Sequence, residues 1–518
     1  MAEKVYKSMS FANPHPPFID GIQKFASAIG GIGLLLLLLA FLNIERVQSP
    51  AMLWVSLTLM AAGTIIFSAR AYLTKSAGIK NDGVWFSSLT NRGLWAWVLG
   101  IIVTAFYVLL YWFPQYLGLN TEGNSGLVQF FDPLSMFLKG QPASQWFVYG
   151  TLYTLAILIF GVKFIWKYRH NRYQVVRTLS VMFFQLGFAF LIPELLIKLN
   201  YPYNDFKNMW PLNYYLFDEW SIKGFLSSGG FGLFMLIFGV AMIFIISPIL
   251  TYYFGKRWYC SWVCGCGGLA ETAGDPFRHL SDKSLKAWQI ERWVIHLVLL
   301  FAVVMTVGVV FSFFHNNPSG YWMSKSSFVV LVAILSFGTA ALFRFVPAFK
   351  KEVSKRINLI ISGVGVLLPL LVIINYSSGS GNAVFINFYD LRKTYGFLIG
   401  AAFSGVIGVG FYPLMGSRVW CRFGCPMAAI LGLQQKFFSR FRITTNGGQC
   451  ISCGNCSTYC EMGIDVRSYA QKGQNIVRAS CVGCGICAAV CPRGVLRLEN
   501  GSKDIFEKTI DLRTQHIQ

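Results

Sequence analysis

The sequence predicts an all-α polytopic membrane protein of about ten transmembrane helices, followed by a small α+β domain at its C-terminus. Three observations carry this. The 518 residues are 55% hydrophobic, 16% aromatic and only 13% charged, with a mean hydropathy of +0.52, a composition suited to lipid and not to a string of water-exposed domains. Runs long enough to cross a hydrocarbon core lie near 25–44, 51–69, 93–113, 146–166, 178–197, 230–252, 293–314, 326–346, 357–375 and 395–413. The 13 cysteines fall in three groups, eight of them between Cys450 and Cys491, in a segment too short to fold on an apolar core alone.

Residues 1–24 form a lead in which Pro14, Pro16 and Pro17 favour an extended arm over a helix. The first run has further runs behind it and no small-residue cleavage site, so it is expected to stay as a span. Residues 25–224 hold five spans without cysteine. Their polar residue of interest is Glu194 beside Pro193, either an interfacial carboxylate or a proton acceptor at a quinol pocket. Two long loops, near 114–145 and 198–229, fall on the outer side. The second carries Trp210, Tyr214, Tyr215 and Trp220 with Asp205, Asp218 and Glu219, a composition shared by interfacial aromatic belts and by acidic docking faces.

The net charge of +22 sits in the loops. With the N-terminus inside, the inner loops carry Arg70, Lys75, Lys80 and Arg92, then Lys167, Arg169, Arg172 and Arg177, then Lys256, Arg257, Arg278, Lys283, Lys286 and Arg292, then Arg344, Lys350, Lys351, Lys355 and Arg356. With Lys4, Lys7 and Lys24, that is roughly 22 basic residues inside against about 8 outside, a positive-inside pattern. It places both termini and the C-terminal domain in the cytoplasm, in a multi-pass chain of a bacterial inner membrane. It also accounts for the basicity without a nucleic-acid partner, leaving membrane lipid and a redox protein as the expected partners.

Residues 225–435 hold five more spans and two copies of one phrase. The sixth span ends at Gly255-Lys256-Arg257-Trp258-Tyr259-Cys260-Ser261-Trp262-Val263-Cys264-Gly265-Cys266, and the tenth at Gly416-Ser417-Arg418-Val419-Trp420-Cys421-Arg422-Phe423-Gly424-Cys425-Pro426. Each has a glycine, an arginine two residues on, and cysteines five and nine residues after the glycine. A helix running through each phrase would put its i,i+4 thiols on one face. Four thiols brought together suit a soft metal, a cluster or thiol exchange, against a packing role for small residues. Cys260, Cys264, Cys266, Cys421 and Cys425 are thus candidate redox or metal thiols. No cysteine lies in an outer loop, which suits reduced thiols in place of structural disulfides. Only His296 lies inside a span, with His315 at the other end of the same helix. A transmembrane b-type haem needs two axial histidines at similar depth, so haem is not expected, and His296 suits a quinone headgroup, a metal or an interfacial hydrogen bond.

Residues 436–500 carry Cys450-x2-Cys453-x2-Cys456-x3-Cys460 and Cys481-x2-Cys484-x2-Cys487-x3-Cys491-Pro492. This is the run that bacterial ferredoxins use for two [4Fe–4S] clusters, whereas zinc ribbons use pairs of thiols. In that run the fourth cysteine serves the other cluster, so one set is Cys450, Cys453, Cys456 and Cys491, and the other Cys481, Cys484, Cys487 and Cys460. Gly454, Gly483 and Gly485 suit a backbone that turns tightly around such a group. Residues 501–518 are a tail.

With the repeated CxxxC phrase ahead of a paired ferredoxin run, residues from about 225 to 500 resemble the NapH/NosR-type membrane polyferredoxins. Cys421-Arg422-Phe423-Gly424-Cys425-Pro426 matches that family's CxxxCP mark. Cys260 to Cys264 matches it except that Gly265 stands in place of proline and Cys266 follows, and Glu461 replaces the usual proline after Cys460. The resemblance implies a membrane-bound iron–sulfur electron-transfer protein, of the quinol-dehydrogenase type, linking the quinone pool to a respiratory enzyme or its maturation system in a denitrification-type setting. It also admits a copper-handling assembly factor, with an additional metal at the membrane thiols, or a quinone bound there.

Overall fold

A computed structural model describes residues 19–74, 88–318, 323–347 and 355–501. Most of the N-terminal arm, with its three prolines, the tail beyond 501, and Lys75, Lys80, Lys350 and Lys351 of the loops expected inside lie outside the described residues.

Among the described residues nine helices are long and apolar enough to cross a membrane: α1 (Gly21–Phe41), α2 (Pro50–Tyr72), α3 (Leu94–Trp112), α4 (Gln145–Lys167), α5 (Arg172–Lys198), α6 (Gly229–Phe254), α7 (Leu285–Asn316), α8 (Lys325–Phe345) and α9 (Asn358–Ser377). They correspond to the first nine sequence runs, and the chain is a multi-pass membrane protein. Their starts are set by local chemistry. Asp20 caps α1 through a capping box with Gln23, and Ser49, Ser144, Asn171 and Ser324 cap α2, α4, α5 and α8. Large apolar side chains such as Leu94, Ile101, Phe244 and Leu359 point outward, as lipid-facing residues do.

The tenth run, 395–413, is not one continuous span. Helix Phe388–Tyr395 passes into wide π-helical turns over Gly396–Ile407, and the chain then breaks before a short helix Tyr412–Met415. The reason is packing. A Cβ at Gly410 would meet Thr104 Oγ1 of α3 at 2.3 Å, and one at Gly405 would meet the Tyr107 ring at 2.6 Å. These glycines let the chain lie closely against α3, and Pro413 opens the first turn of the next short helix, where its missing N–H costs nothing.

Chain contacts divide the molecule into two compact units that do not follow chain order. The first comprises residues 1–208, 241–295 and 403–518. Its membrane core gathers Leu53 and Leu57 of α2, Tyr107 and Leu110 of α3, and Phe147 of α4 with the short helices Gly126–Phe130 and Asp132–Lys139 that join α3 to α4. The helices α1 and α2 touch through small residues, a Cβ at Gly63 falling 2.6 Å from Gly30 N. The C-terminal domain has a two-stranded antiparallel sheet, β1 (Arg442–Thr445) with β2 (Leu496–Glu499), Arg442 opposite Glu499. Short helices Asn455–Thr458, Val466–Gln471 and Ile486–Ala489 complete it. Phe164 and Tyr168 at the end of α4 pack directly on its Tyr459, Ile486 and Val490.

The second unit, residues 209–240 and 296–402, is organised around Ala302, Met305 and Phe311 of α7, Val332 of α8, Val372 of α9, and Phe388, whose ring lies on Gly308. Several polar and aromatic residues between α5 and α6 are internal to it. Trp210 Nε1 donates to Thr306 (2.9 Å), Tyr214 meets Tyr395 edge to face, and the buried Asp218 pairs with Arg392. Tyr215 and Trp220 are exposed.

Candidate functional site

The first unit brings both repeated phrases and the C-terminal domain together. Gly255 (φ 67°) and Gly416 (φ 97°) are left-handed, and each ends its helix, so the repeated glycine turns the chain out of the membrane segment. A side chain would not fit either place: a Cβ at Gly255 would strike Gln435 and Phe441, and one at Gly416 would strike Ser281. Helix does not then run through the cysteines as an i,i+4 face. Cys260 closes the short helix Arg257–Cys260, while Cys264 is the extended N-cap of helix Gly265–Thr272. Cys421 lies in the wide turn Trp420–Gly424, and Cys425 is the N-cap of helix Pro426–Phe438, its Sγ accepting from Ala428 N (3.4 Å). The two phrases therefore share one design, a left-handed glycine, a turn bearing the first thiol and a second thiol capping the next helix.

The repeated arginines behave differently. Arg418 Nη1 donates to both Cys421 Sγ (3.5 Å) and Cys260 O (3.2 Å), bringing the two phrases onto one guanidinium. Arg257 instead stacks over Phe441 and Tyr173, 4.5 and 5.7 Å from their ring centres. Burial raises Cys260 to about 12, against the pull of Lys256, and raises Cys421 as well, although Arg418 works against it. At both thiols the cost of burying the anion is larger than the pull of the neighbouring cation. Cys264 goes the other way, lowered to about 6 by a hydrogen bond from Cys266 and by Lys207. Cys266 lies within the helix Gly265–Thr272.

The structure also brings the cysteine-free first half to the thiols. Lys207, in the segment that follows α5, lies with its Nζ 3.3 Å from Gln185 Oε1, and both surround the position of a Cβ on Gly265, at 3.0 and 2.4 Å. Gln185 Nε2 donates in turn to Thr154 Oγ1 (3.1 Å).

Behind the thiols lies a buried charge network. Arg418 Nε and Arg278 Nη1 donate to the two oxygens of Glu461, at 2.9 and 2.8 Å. Arg418 and Arg177 also pair with Glu271, Arg278 Nε reaches Asp275 (2.7 Å), and Lys167 Nζ reaches Asp275 (2.9 Å). All these side chains are at most 5% exposed. Burial disfavours the Asp275 anion, but Lys167 and Arg278 outweigh it and hold the carboxyl below its usual range. Glu271 and Glu461 also converge with Cys484, their ligand atoms within 4.8 Å of one another. Both carboxylates are already occupied by guanidinium groups, so these three form part of the ion-pair network and are not a metal site.

The eight cysteines of the C-terminal domain line two cavities. Cys450, Cys453, Cys456 and Cys491 share one of about 360 Å³, and Cys460, Cys481, Cys484 and Cys487 one of about 390 Å³. Gly454, Gly483 and Gly485 are all left-handed there (φ 80°, 63° and 73°), so the chain bends round each cavity as only glycine does easily. Four soft donors converging on one cavity fit a [4Fe–4S] group, and neither set appears among the ligand groups tight enough for a single ion. The second cavity is the one turned to the membrane segment. Gln174 Nε2 donates to Cys484 O (2.8 Å), Gln435 Nε2 to Cys481 O (2.8 Å), Ser261 Oγ to Val482 O (2.9 Å), Tyr173 OH to Gly483 O (2.9 Å) and Ser281 Oγ to Glu461 O (2.7 Å).

Two further candidates lie elsewhere. Glu194 is buried in α5, and its Oε2 has no hydrogen-bond partner. His296 belongs to the second unit, and His315 there meets Lys325 Nζ at 2.9 Å.

Comparison with known proteins agrees with this chemistry. Residues 449–496 match the family model of a 4Fe-4S dicluster domain, and residues 231–284 and 397–444 each match that of a 4Fe-4S binding domain. The latter two segments each contain one CxxxC phrase. A protein of Escherichia coli (strain K12), described as "Putative electron transport protein YccM", is 23% identical over 242 residues, spanning 45% of this chain and 50% of that protein. No solved structure matches significantly. The chain is a membrane-spanning protein with ferredoxin-type iron–sulfur binding domains.

Proposed function

We propose that this chain is a membrane-bound electron-transfer protein of the NapH/NosR type that passes electrons between the quinone pool and a partner respiratory enzyme or its maturation system. One observation carries the reading: a single guanidinium, that of Arg418, touches Cys421 Sγ on the membrane side and Glu461, the residue after Cys460, on the domain side. Cys450, Cys453, Cys456 and Cys491 would hold one [4Fe–4S] group, and Cys460, Cys481, Cys484 and Cys487 the other, each group supplying reversible one-electron chemistry when bound. The protein's own part is to orient and to exclude water. Ser261, Gln174 and Gln435 fix the carbonyls of the second run, Glu271 and Glu461 neutralise the arginines, and the apolar contact of Phe164 and Tyr168 with Ile486 closes the junction. A purified protein that is reduced by a quinol analogue supports this reading; one that is not, yet binds copper stoichiometrically, refutes it.

A second reading, a copper-handling assembly factor, is favoured by one feature, the hydrogen bond between Cys264 and the extra thiol Cys266. Soft thiolates select Cu(I). The two readings share a prediction. If Cys260, Cys264, Cys421 and Cys425 form one site, each single alanine variant loses nearly as much function as the quadruple variant, as coupled groups do. Small additive losses in electron-transfer or copper-binding assays would identify packing residues instead.

The proposed orientation puts the C-terminal domain in the cytoplasm of a bacterial inner membrane. Reporter fusions at residues 170, 285 and 500 should then read inside, and those at 120, 210 and 380 outside. An outside signal at 500 would overturn the cytoplasmic assignment.

A further inference from the structure

The two cluster cavities differ in what surrounds them. None of the residues lining the Cys460/Cys481/Cys484/Cys487 cavity is exposed, and none is basic. The Cys450/Cys453/Cys456/Cys491 cavity opens to the surface: Ile451, Ser452, Arg467, Pro492 and Arg493 all line it and all are exposed. Ile451, half exposed at 50%, is a large apolar side chain on the tip of a cysteine loop, where packing within the domain gives it no role. Arg467 lies over the same loop, its Nη1 3.8 Å from the Cβ position of Gly454. Lys472 and Arg497 are exposed on the same small domain. None of these four bases forms an ion pair among the described residues, whereas Asp465 is only half-exposed and accepts from Ser457 Oγ (2.7 Å), and Glu461 is buried. The result is an apolar contact point ringed by unpaired positive charge at the mouth of one cavity, while the other cavity is closed over by hydrogen bonds to the membrane segment.

We infer that this rim is the docking face for a small acidic one-electron carrier protein, of the iron–sulfur or flavin kind. The inference rests on the electron-transfer reading and adds the partner's chemistry and its point of contact. An acidic partner is steered to Arg467 and Arg493 by charge and seats an apolar patch on Ile451 and Pro492, which fixes orientation without a large interface. Weak redox encounters bury little surface and draw on electrostatics in this way. The exchange moves one electron between the carrier and the group held by Cys450, Cys453, Cys456 and Cys491, one being oxidised as the other is reduced, with no bond made or broken.

The test uses the full chain in nanodiscs of zwitterionic lipid, titrated calorimetrically with an acidic plant-type [2Fe–2S] ferredoxin and with an acidic flavodoxin. Saturable binding to at least one is expected, weakening tenfold or more as salt rises from about 20 to about 200 mM, because screening shortens the reach of the rim's charges. The double variant Arg467→Glu/Arg493→Glu should bind at least tenfold more weakly and lose the salt dependence. Arg467→Gln/Arg493→Gln, less disruptive to folding, should show a smaller loss in the same direction. Absence of binding to both carriers at low salt, or equal affinity in wild type and variants, overturns the inference, provided iron content and the EPR signal of the reduced protein are intact. So does a charge-reversed variant that keeps carrier binding but loses its hold on phosphatidylglycerol vesicles, which would make the rim a lipid contact. Protein that carries neither iron nor the EPR signal would instead remove the underlying electron-transfer reading.

Discussion

Cys491→Ala is expected to empty the site of the opposite run, lowering iron and acid-labile sulfide from about eight each per chain to about four. Cys491 follows Cys487 in sequence, yet it lines the cavity of Cys450, Cys453 and Cys456. The remaining site should survive, because its backbone is tied to the membrane segment through Gln174, Gln435, Ser261 and Tyr173. Cys460→Ala, the reciprocal change, should do more damage. It removes a ligand from the docked cavity and disturbs Glu461 beside it, so the whole domain is expected to lose order in a segment that depends on its metal groups for folding. Iron analysis with EPR of the dithionite-reduced variants checks both. A Cys491→Ala protein that kept the group at Cys450, Cys453 and Cys456 while losing the other would reverse the ligand assignment.

Glu461→Ala should rank with the ligand variants in effect although the residue is no ligand. It takes from the guanidinium groups of Arg278 and Arg418, 1% and 0% exposed, the carboxylate they share, leaving Arg278 only Asp275 and Arg418 only Glu271. Removing one partner of a buried ion pair costs up to about 3–5 kcal/mol, since the charge left behind remains desolvated, and the pairs that survive keep the cost below that limit. The expected result is release of the C-terminal domain from its seat: limited proteolysis should cut near residues 440–446, and the thermal transition should fall by several degrees. Glu461→Gln, which keeps the shape and part of the hydrogen bonding, should lie between the two. Proteolysis unchanged in Glu461→Ala would show that the apolar seat of Phe164, Tyr168 and Ile486 holds the domain without the network.

The cysteine runs, the repeated glycine phrase and nine of the ten spans were legible in the sequence because each is written in local spacing or in continuous hydropathy. The buried network was not. Arg177, Glu271, Arg278 and Glu461 meet across separations of up to 183 residues, the distance between Arg278 and Glu461 in sequence, and an arginine in an inner loop reads as a positive-inside charge whether it faces water or a carboxylate. A partial signal was present: in a chain only 13% charged, Glu461 stands directly after a ligand cysteine where the family resemblance expects proline. Lys207 and Gln185 were hidden for a different reason, since a loop that packs toward a buried thiol leaves no periodic trace. The broken tenth span was missed because Gly405 and Gly410 lower hydropathy little, while their lack of side chains lets the chain lie against α3 and depart from a regular helix. The expectation of helix through both CxxxC phrases failed where Cys264 and Cys425 act as N-caps, a role that spacing alone does not distinguish from a continuing turn.

The measurement that bears most directly on the account is a redox titration followed by EPR on membranes in which this chain is the only iron–sulfur protein. It should show two [4Fe–4S] groups per chain, each taking one electron, and partial reduction on adding a quinol analogue. Absence of any reducible iron–sulfur signal, with zinc in place of iron in the purified chain, would contradict it.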